Sequence, residues 1–96
     1  MKKIDEIVET LRRHKQNLKN KYKISDIMIF GSYAEGTQTT KSDIDIIVDF
    51  EEPPTFSQFL DIEQELEKLL EVKVDLLTTE SISPFIKPYI KETITI

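Results

Sequence analysis

The sequence predicts a small α+β fold in which helices cover a single sheet. Segments with apolar residues at helical spacing alternate with short runs rich in β-branched residues, and polar breaks separate them. The order helix, strand, loop, strand, helix, strand, helix fits such a sheet. A chain of 96 residues has the usual size for one hydrophobic core. We therefore expect residues 1–96 to form one domain.

The chain up to residue 50 predicts one helix and two strands. Residues 2–22 carry apolar side chains at helical spacing, with acids in the opening turns and cations toward the end, as the helix dipole favours. Residues 26–30 form a short apolar run that ends at a glycine, which is typical of a buried strand. After a polar, turn-rich stretch, residues 44–50 form a second strand with many β-branched residues.

A second helix is predicted after the break at Pro53 and Pro54. Thr55 fits a helix N-cap, and Gln58 three residues later completes a capping-box pattern. We expect the helix to cover roughly residues 56–70. The side chains that we assign to its apolar face are Phe56, Phe59, Leu60, Ile62, Leu66, Leu69 and Leu70.

The last quarter of the chain predicts further short elements. Residues 72–78 have the composition of a third strand. Ser83 followed by Pro84 fits the N-cap and first position of a short helix. Residues 93–96 alternate threonine and isoleucine, as in an edge strand.

Composition excludes several classes of protein. The chain has no cysteine and one histidine, which excludes a disulfide scaffold, a zinc ribbon, thiol catalysis and a histidine-rich metal site. Its 39% hydrophobic and 32% charged content is typical of a folded, soluble protein. No apolar run approaches the roughly 20 residues of a membrane span, and no signal-peptide core follows the first residues. We expect a cytoplasmic protein with no membrane contact.

Charge is distributed unevenly along the chain, whose net charge is −5. Residues 1–41 contain nine Lys/Arg against five Asp/Glu, whereas residues 42–96 contain four against thirteen. The cations that cluster in the first helix and just after it are Arg12, Arg13, Lys15, Lys19, Lys21 and Lys23. They fit either a solvated helix face or a surface for an acidic partner. Because the chain is acidic overall, we expect no direct nucleic-acid binding.

Both glycines of the chain lie in one segment, Gly31-Ser32-Tyr33-Ala34-Glu35-Gly36. Glycine is needed where the backbone turns sharply or is approached closely. Gly31 follows a predicted strand, and the Ser32 hydroxyl is able to cap a new helix. A strand that enters a helix through glycine presents free N–H groups, which bind anions such as phosphate. Taken alone, the segment also fits an ordinary turn.

Acidic residues of two predicted strands complete a candidate site. Ser42-Asp43-Ile44-Asp45 opens the strand after the glycine segment, and alternation places Asp43 and Asp45 on one face. Two such carboxylates repel each other unless a cation joins them, and Mg²⁺ prefers oxygen ligands of this kind. Asp75 has apolar neighbours on both sides, so we expect it to be buried in its strand and to need a partner or a metal. If the two strands are adjacent, three carboxylates meet at the glycine turn.

This pattern resembles the signature of the minimal nucleotidyltransferases, a branch of the DNA polymerase β superfamily. The resemblance covers roughly residues 4–92 and includes Val74-Asp75-Leu76 as the third acidic strand. It implies a polymerase-β-like palm, a small mixed β-sheet flanked by helices. It implies Mg²⁺, in a two-metal site, at the catalytic residues Asp43, Asp45 and Asp75. It also implies that Gly31, Ser32 and Ser42 bind the nucleotide, with ATP as the donor.

The same resemblance implies a partner. Such domains are often encoded beside a HEPN-domain toxin and act as its antitoxin, in the manner of MntA-type proteins, by attaching AMP to a tyrosine of the toxin. We therefore expect an active protein adenylyltransferase. One departure favours an alternative: Glu35 stands where the family commonly has arginine, and its charge opposes a triphosphate. The alternative is a weak or inactive nucleotide-binding module that neutralises its partner by binding alone. Transfer to a small molecule or an RNA end is a third possibility.

Overall fold

The computed structural model describes residues 3–36, 43–79 and 93–96, with the side chains of Ser32 and Glu35 excluded. Within these ranges the chain forms three helices and four strands. In chain order they are α1 (Ile4–Tyr22), β1 (Ile24–Phe30), α2 (Ser32–Glu35), β2 (Ile44–Phe50), α3 (Phe56–Leu70), β3 (Val74–Thr78) and β4 (Thr93–Thr95).

The strands form one mixed sheet in the order β3-β2-β1-β4. β1 runs antiparallel to both β2 and β4, whereas β3 runs parallel to β2. The antiparallel neighbours place the glycine turn after β1 beside the start of β2, and the parallel pair brings the starts of β2 and β3 together. The expected mixed β-sheet flanked by helices is confirmed.

The hydrophobic core lies between the sheet and helices α1 and α3. α1 packs on β1, α3 packs on β3, and the two helices contact each other. Alternate side chains of β2 point into this core, since Ile44, Ile46 and Val48 are fully buried. The opposite face of the sheet carries the acidic residues of β2 and β3. The helices therefore cover one face of the sheet, and the acidic residues lie on the other face.

The capping box predicted for the helix after Pro54 is present at the start of α3. The Gln58 backbone N–H donates to Thr55 Oγ1 at 3.1 Å, and the Thr55 N–H donates to Gln58 Oε1 at 3.0 Å. These two bonds satisfy donors that the first turn of a helix otherwise leaves without partners. At the other end, Glu71 adopts a left-handed conformation, with φ of 57°, and its N–H donates to the Glu67 carbonyl.

The observed starts of α1, β1 and β3 differ from the predicted starts by two residues. β1 begins at Ile24, two residues before the predicted start, because Lys23 turns the chain in a single left-handed residue with φ of 56°. Ile24 then pairs with Phe50 across a bulge and is buried. β3 begins at Val74 rather than at residue 72, and α1 begins at Ile4.

The apolar face predicted for α3 was partly wrong. Ile62, Leu66 and Leu70 form its buried row, but Phe56 is 78% exposed and Leu60 is 39% exposed. At about 100° per residue, Leu60 lies about 200° around the helix from Ile62 and so faces away from the sheet. Phe56 is the first residue of the helix, and its side chain is left outside the core.

Three of the six cations in the predicted basic run make contacts within the described part of the fold. The Lys21 Nζ lies 2.7 Å from Glu65 Oε1, and the Lys23 Nζ lies 3.2 Å from Glu52 Oε2. Lys15 donates to the Ile96 carbonyl at 2.6 Å.

The helix predicted from Ser83 and Pro84 lies outside the described residues. Among the helices that are described, none is long and apolar enough to cross a membrane.

We expect Thr55→Ala to lower the free energy of unfolding by about 1 kcal/mol, because it removes the side-chain acceptor of the cap. Chemical denaturation followed by circular dichroism measures this loss. Ser57→Ala is the matched control, since Ser57 is exposed in the same turn and makes no capping bond. A Thr55→Ala protein as stable as the wild type would contradict the role assigned to the cap.

Candidate active site

The centre of the candidate site is a pair of aspartates in neighbouring strands. Asp45 of β2 lies directly beside Asp75 of β3 in the parallel register. Neighbouring strands are about 4.8 Å apart, so two carboxylates in register on the same face approach closely. The adjacency that the sequence analysis treated as a condition is therefore observed.

The exposure of these aspartates differs from the expectation. Asp75 is exposed rather than buried, because Val74 and Leu76 on either side of it take the core positions of β3. Its neighbours along the sequence point to the opposite face of the sheet, so they do not bury its carboxylate. Asp45 is half-buried, and Asp43, one residue before β2, is exposed. The site therefore opens to solvent around one partly desolvated carboxylate.

Burial and repulsion together raise the pKa of Asp45 from 3.8 to about 6. Partial burial is the main cause, followed by the negative charges of Asp75 and then Asp43, and a hydrogen bond with Asp75 adds to the effect. The charges of Asp75 and Asp43 therefore both act on Asp45. A bound cation would favour the charged form of Asp45 and relieve this repulsion.

Gly31 lies against the Asp45 carboxylate. A Cβ atom at position 31 would overlap Asp45 Oδ2 and would lie 3.1 Å from Asp45 Cγ. Gly31 also has a φ of +76°, which residues with a side chain rarely adopt. The glycine is thus required both by the turn and by the close approach of the aspartate.

Sequence reasoning had assigned Gly31 to phosphate binding and had missed its contact with Asp45. The contact follows from the antiparallel register, in which Phe30 pairs with Asp45 and places the next residue beside that carboxylate. A strand register of this kind is not visible in a local sequence pattern. Lys73 was missed for the same reason. The Ile44 N–H donates to the Lys73 carbonyl at 2.9 Å, and this bond brings exposed Lys73 to the end of the sheet that carries Asp43.

Other residues of the glycine segment and of β2 differ in their placement. Tyr33 is buried in the core. Ser32 begins α2 and is described by its backbone alone, and Ser42 lies outside the described residues. Asp49 shares the strand face of Asp45 but accepts a hydrogen bond from Thr79 Oγ1 at 3.1 Å, away from the paired aspartates.

The donor set fits a divalent ion that is completed by its substrate. Among the described residues, no group of three or more His, Cys, Asp or Glu side chains forms a ready-made metal cage. Mg²⁺ is usually held by one or two carboxylates together with water and substrate phosphates, rather than by a closed protein cage. Asp45, half-buried and with its charged form disfavoured beside Asp75, is the kind of ligand that such an ion would stabilise.

Comparison with known proteins identifies the family. A model described as the nucleotidyltransferase domain matches residues 11–96. The chain belongs to this nucleotidyltransferase family. The resemblance inferred from the glycine segment and the aspartates is therefore confirmed, and the protein is an enzyme domain of the nucleotidyltransferase class.

Relatives match this nucleotidyltransferase over nearly the whole length of both chains. The Methanocaldococcus jannaschii protein MJ1379 is 53% identical over 95 residues, which cover 96% of this chain and 95% of that protein. The protein adenylyltransferase MntA of Thermococcus cleftensis is 38% identical over 92 residues, covering 95% of this chain and 93% of MntA.

Solved structures give the same result for the fold. A structure of the minimal-nucleotidyltransferase type superposes with a TM-score of 0.80 at 27% identity, covering 99% of this chain and 97% of the other. A toxin–antitoxin structure with AMP-PNP superposes with a TM-score of 0.66 at 28% identity, covering 96% of this chain and 70% of the other.

Because the pKa of Asp45 is raised to about 6 in the folded protein, its ionisation costs stability. The folded state holds this proton more tightly than the unfolded state, so stability falls as the pH rises from about 4 to about 6 and stays lower above that range. The carboxylate is half-exposed and solvent screens the repulsion, so we expect Asp45→Asn to raise the free energy of unfolding by only about 1 kcal/mol at pH 8.

Urea unfolding of both proteins at pH 8 and pH 3.5 measures this difference, which should vanish at the lower pH. Asp61→Asn is the matched control, because Asp61 is an exposed aspartate on α3 and should show no such gain at either pH. An Asp45→Asn protein less stable than the wild type at pH 8 would rule out the repulsion described here.

Gly31→Ala tests the close approach of the glycine to Asp45. The left-handed φ costs any alanine about 1 kcal/mol, and the overlap with the Asp45 carboxylate adds to that cost. Gly36→Ala is the matched control, because Gly36 has the same φ of +76° but no described atom lies within 4 Å of an added Cβ. We expect Gly31→Ala to lose at least about 1 kcal/mol more than Gly36→Ala in denaturant unfolding. Equal losses would contradict the contact.

Proposed function

We propose that this chain transfers AMP from ATP to a tyrosine hydroxyl of a HEPN-domain toxin and so acts as its antitoxin. The observation that carries the proposal is the placement of Asp45 beside Asp75, with Gly31 in contact with Asp45. Nucleotidyl transfer needs carboxylates that hold a divalent ion next to a turn that binds phosphates. The aspartates and the glycine turn lie at the same end of this sheet, which supports these two roles.

The comparisons support the nucleotide and the type of partner. MntA of Thermococcus cleftensis is named a protein adenylyltransferase and matches nearly the whole chain. The toxin–antitoxin structure with AMP-PNP contains an analogue of ATP and shares the fold. Both likenesses support transfer of AMP to a toxin.

We assign a role to each residue of the site. Asp43 and Asp45 hold Mg²⁺, and Asp75 is the third carboxylate. The backbone at Gly31 and Ser32 contacts the triphosphate, together with Ser42. Mg²⁺ held by these residues would neutralise phosphate charge and polarise the phosphoryl group under attack. Asp43 and Asp75 are both exposed, whereas Asp45 is half-buried. With Asp43 assigned to Mg²⁺, Asp75 is the exposed carboxylate left for an incoming protein hydroxyl.

The transfer is a displacement at the α-phosphorus of ATP. The acceptor oxygen forms a bond to this phosphorus while the bond to the bridging oxygen of the β-phosphate breaks. Pyrophosphate leaves with the electron pair of that bond, and the hydroxyl proton passes to Asp75. In this scheme Asp75 orients the acceptor and removes its proton.

Glu35 favours a second candidate function in which the chain neutralises a toxin by binding alone. An acid in the glycine segment, where the family commonly has arginine, weakens attraction for a triphosphate. The two functions differ in one measurable product. The enzyme leaves AMP on the toxin, whereas the binding module leaves its mass unchanged.

The test is the intact mass of the candidate HEPN toxin after incubation with this protein, ATP and Mg²⁺. We expect a gain of one or more AMP units with the wild type and a loss of at least about 100-fold in rate with Asp43→Asn, because removing a metal ligand removes charge stabilisation in the transition state. Asp49→Asn is the matched control. It makes the same chemical change on the same strand face, at a residue that contacts Thr79, and should keep its activity.

A second readout does not depend on the toxin. ATP with Mg²⁺ should raise the unfolding temperature of the wild type and of Asp49→Asn but not that of Asp43→Asn, since ligands that bind only the folded state stabilise it. An unchanged toxin mass in a stable complex would establish the binding module and point to Glu35. Full transfer by Asp43→Asn would overturn the assignment of this site.

A further inference from the structure

The outer edge of the sheet at β4 has backbone groups that no described residue pairs with. The Ile96 N–H donates to the Ile27 carbonyl at 2.9 Å, so Ile96 and, by alternation, Ile94 direct their backbone groups toward β1. The N–H and carbonyl groups of Thr93 and Thr95 therefore point away from the sheet. Among the described residues nothing accepts from or donates to them. An open strand edge of this kind is a template for another strand.

Beside this edge lies a groove of about 450 Å³ between α1 and β4. Its floor is apolar: Ile4 and Val8 of α1 and Ile94 of β4 pack on the core but remain partly exposed. Charged residues of α1 flank that floor. In chain order they are Asp5, Glu9, Arg12 and Arg13.

These four charges form no ion pairs within the described part of the chain, and all four residues are exposed. The two acids lie toward the start of α1 and the two arginines lie nearer its middle, so the groove is negative at one end and positive at the other. A surface with this polarity is complementary to itself when it is turned through 180°. That property is what a two-fold interface between identical chains requires.

We propose that a second copy of this chain binds here, with the two β4 strands pairing antiparallel in a continuous eight-stranded sheet. Thr93 of each copy exchanges backbone hydrogen bonds with Thr95 of the other, and the two Ile94 residues face each other at the two-fold axis. This pairing uses every outward N–H and carbonyl of Thr93 and Thr95.

The direction of α1 agrees with this arrangement. α1 joins β1 through Lys23 alone and runs opposite to it, and β4 is also antiparallel to β1, so α1 and β4 run in the same direction. When two copies pair through antiparallel β4 strands, their α1 helices are therefore antiparallel too. A two-fold axis at the middle of the groove places Asp5 of one copy opposite Arg12 of the other.

The inference does not depend on the proposed activity. β4 has three residues, so the interface is small, and we expect a dimer in micromolar equilibrium with monomer that weakens as salt screens the ion pairs. Because the two-fold axis is perpendicular to the sheet, both candidate sites open on the same side of the dimer, away from the α1 helices.

Charge reversal tests the ion pairs. Sedimentation of the full wild-type chain should show a species of twice 11.2 kDa at high concentration, and Asp5→Lys and Arg12→Glu should each raise the dissociation constant at least about tenfold. Mixing these two variants should restore the dimer, because each introduced charge then faces its opposite. Glu6→Lys makes the same charge change as Asp5→Lys in the same turn but outside the groove, and should dimerise as the wild type does.

A cysteine introduced at position 94 tests the strand register, since the chain has no cysteine of its own. Directly opposed residues in a non-hydrogen-bonded antiparallel pair lie about 4.5 Å apart at Cα, close enough for a disulfide. Ile94→Cys should therefore form covalent dimers on oxidation. Thr95→Cys should not, because Thr95 faces Thr93 of the other copy.

Three results would overturn the proposal. The first is a wild-type chain that stays monomeric up to about 300 μM in low salt. The second is a dimer that neither Asp5→Lys nor Arg12→Glu weakens, which would place the interface on another face. The third is a groove that binds a partner protein while the free chain remains a monomer, which would assign the edge to that partner. Circular dichroism of each variant confirms that it is folded.

Discussion

The parallel register that places Asp45 beside Asp75 is the constraint on which the rest of the site depends. Their parallel register fixes two carboxylates about one strand spacing apart. Separation would require a shift of β3 by at least one residue, which would move Val74 and Leu76 out of the core. Burial of apolar side chains on one face of the sheet therefore maintains an unfavourable charge arrangement on the other.

The glycine turn shows a second cost of the same arrangement. Gly31 adopts a left-handed backbone and brings it against the Asp45 carboxylate, where no side chain fits. This close approach also removes part of the water around Asp45, and partial burial is the largest cause of its raised pKa. The turn therefore contributes to the electrostatics of the site as well as to the path of the chain.

Local patterns predicted the helices and strands of this fold well. They predicted the exposure and contacts of the site residues less well. The strand at 44–50 and the helix at 56–70 were predicted with their observed bounds, because alternation, the two prolines and the Thr55 cap act within a few residues. The exposure of Asp75 and the contact of Gly31 with Asp45 depend on which strands are neighbours. That pairing is decided by the whole core.

The charges of the described residues also explain why nucleotide and metal should bind together. The candidate site is acidic, and Lys15, Lys21 and Lys23 are held in contacts with a carbonyl or a carboxylate elsewhere. Lys73, beside Asp43 by register, brings one positive charge to this edge of the sheet. A triphosphate carries about four negative charges, so a single lysine leaves most of them opposed by the aspartates. In the proposed function, a divalent ion that arrived with the nucleotide would remove that opposition, and the aspartates would then hold the phosphates through the ion.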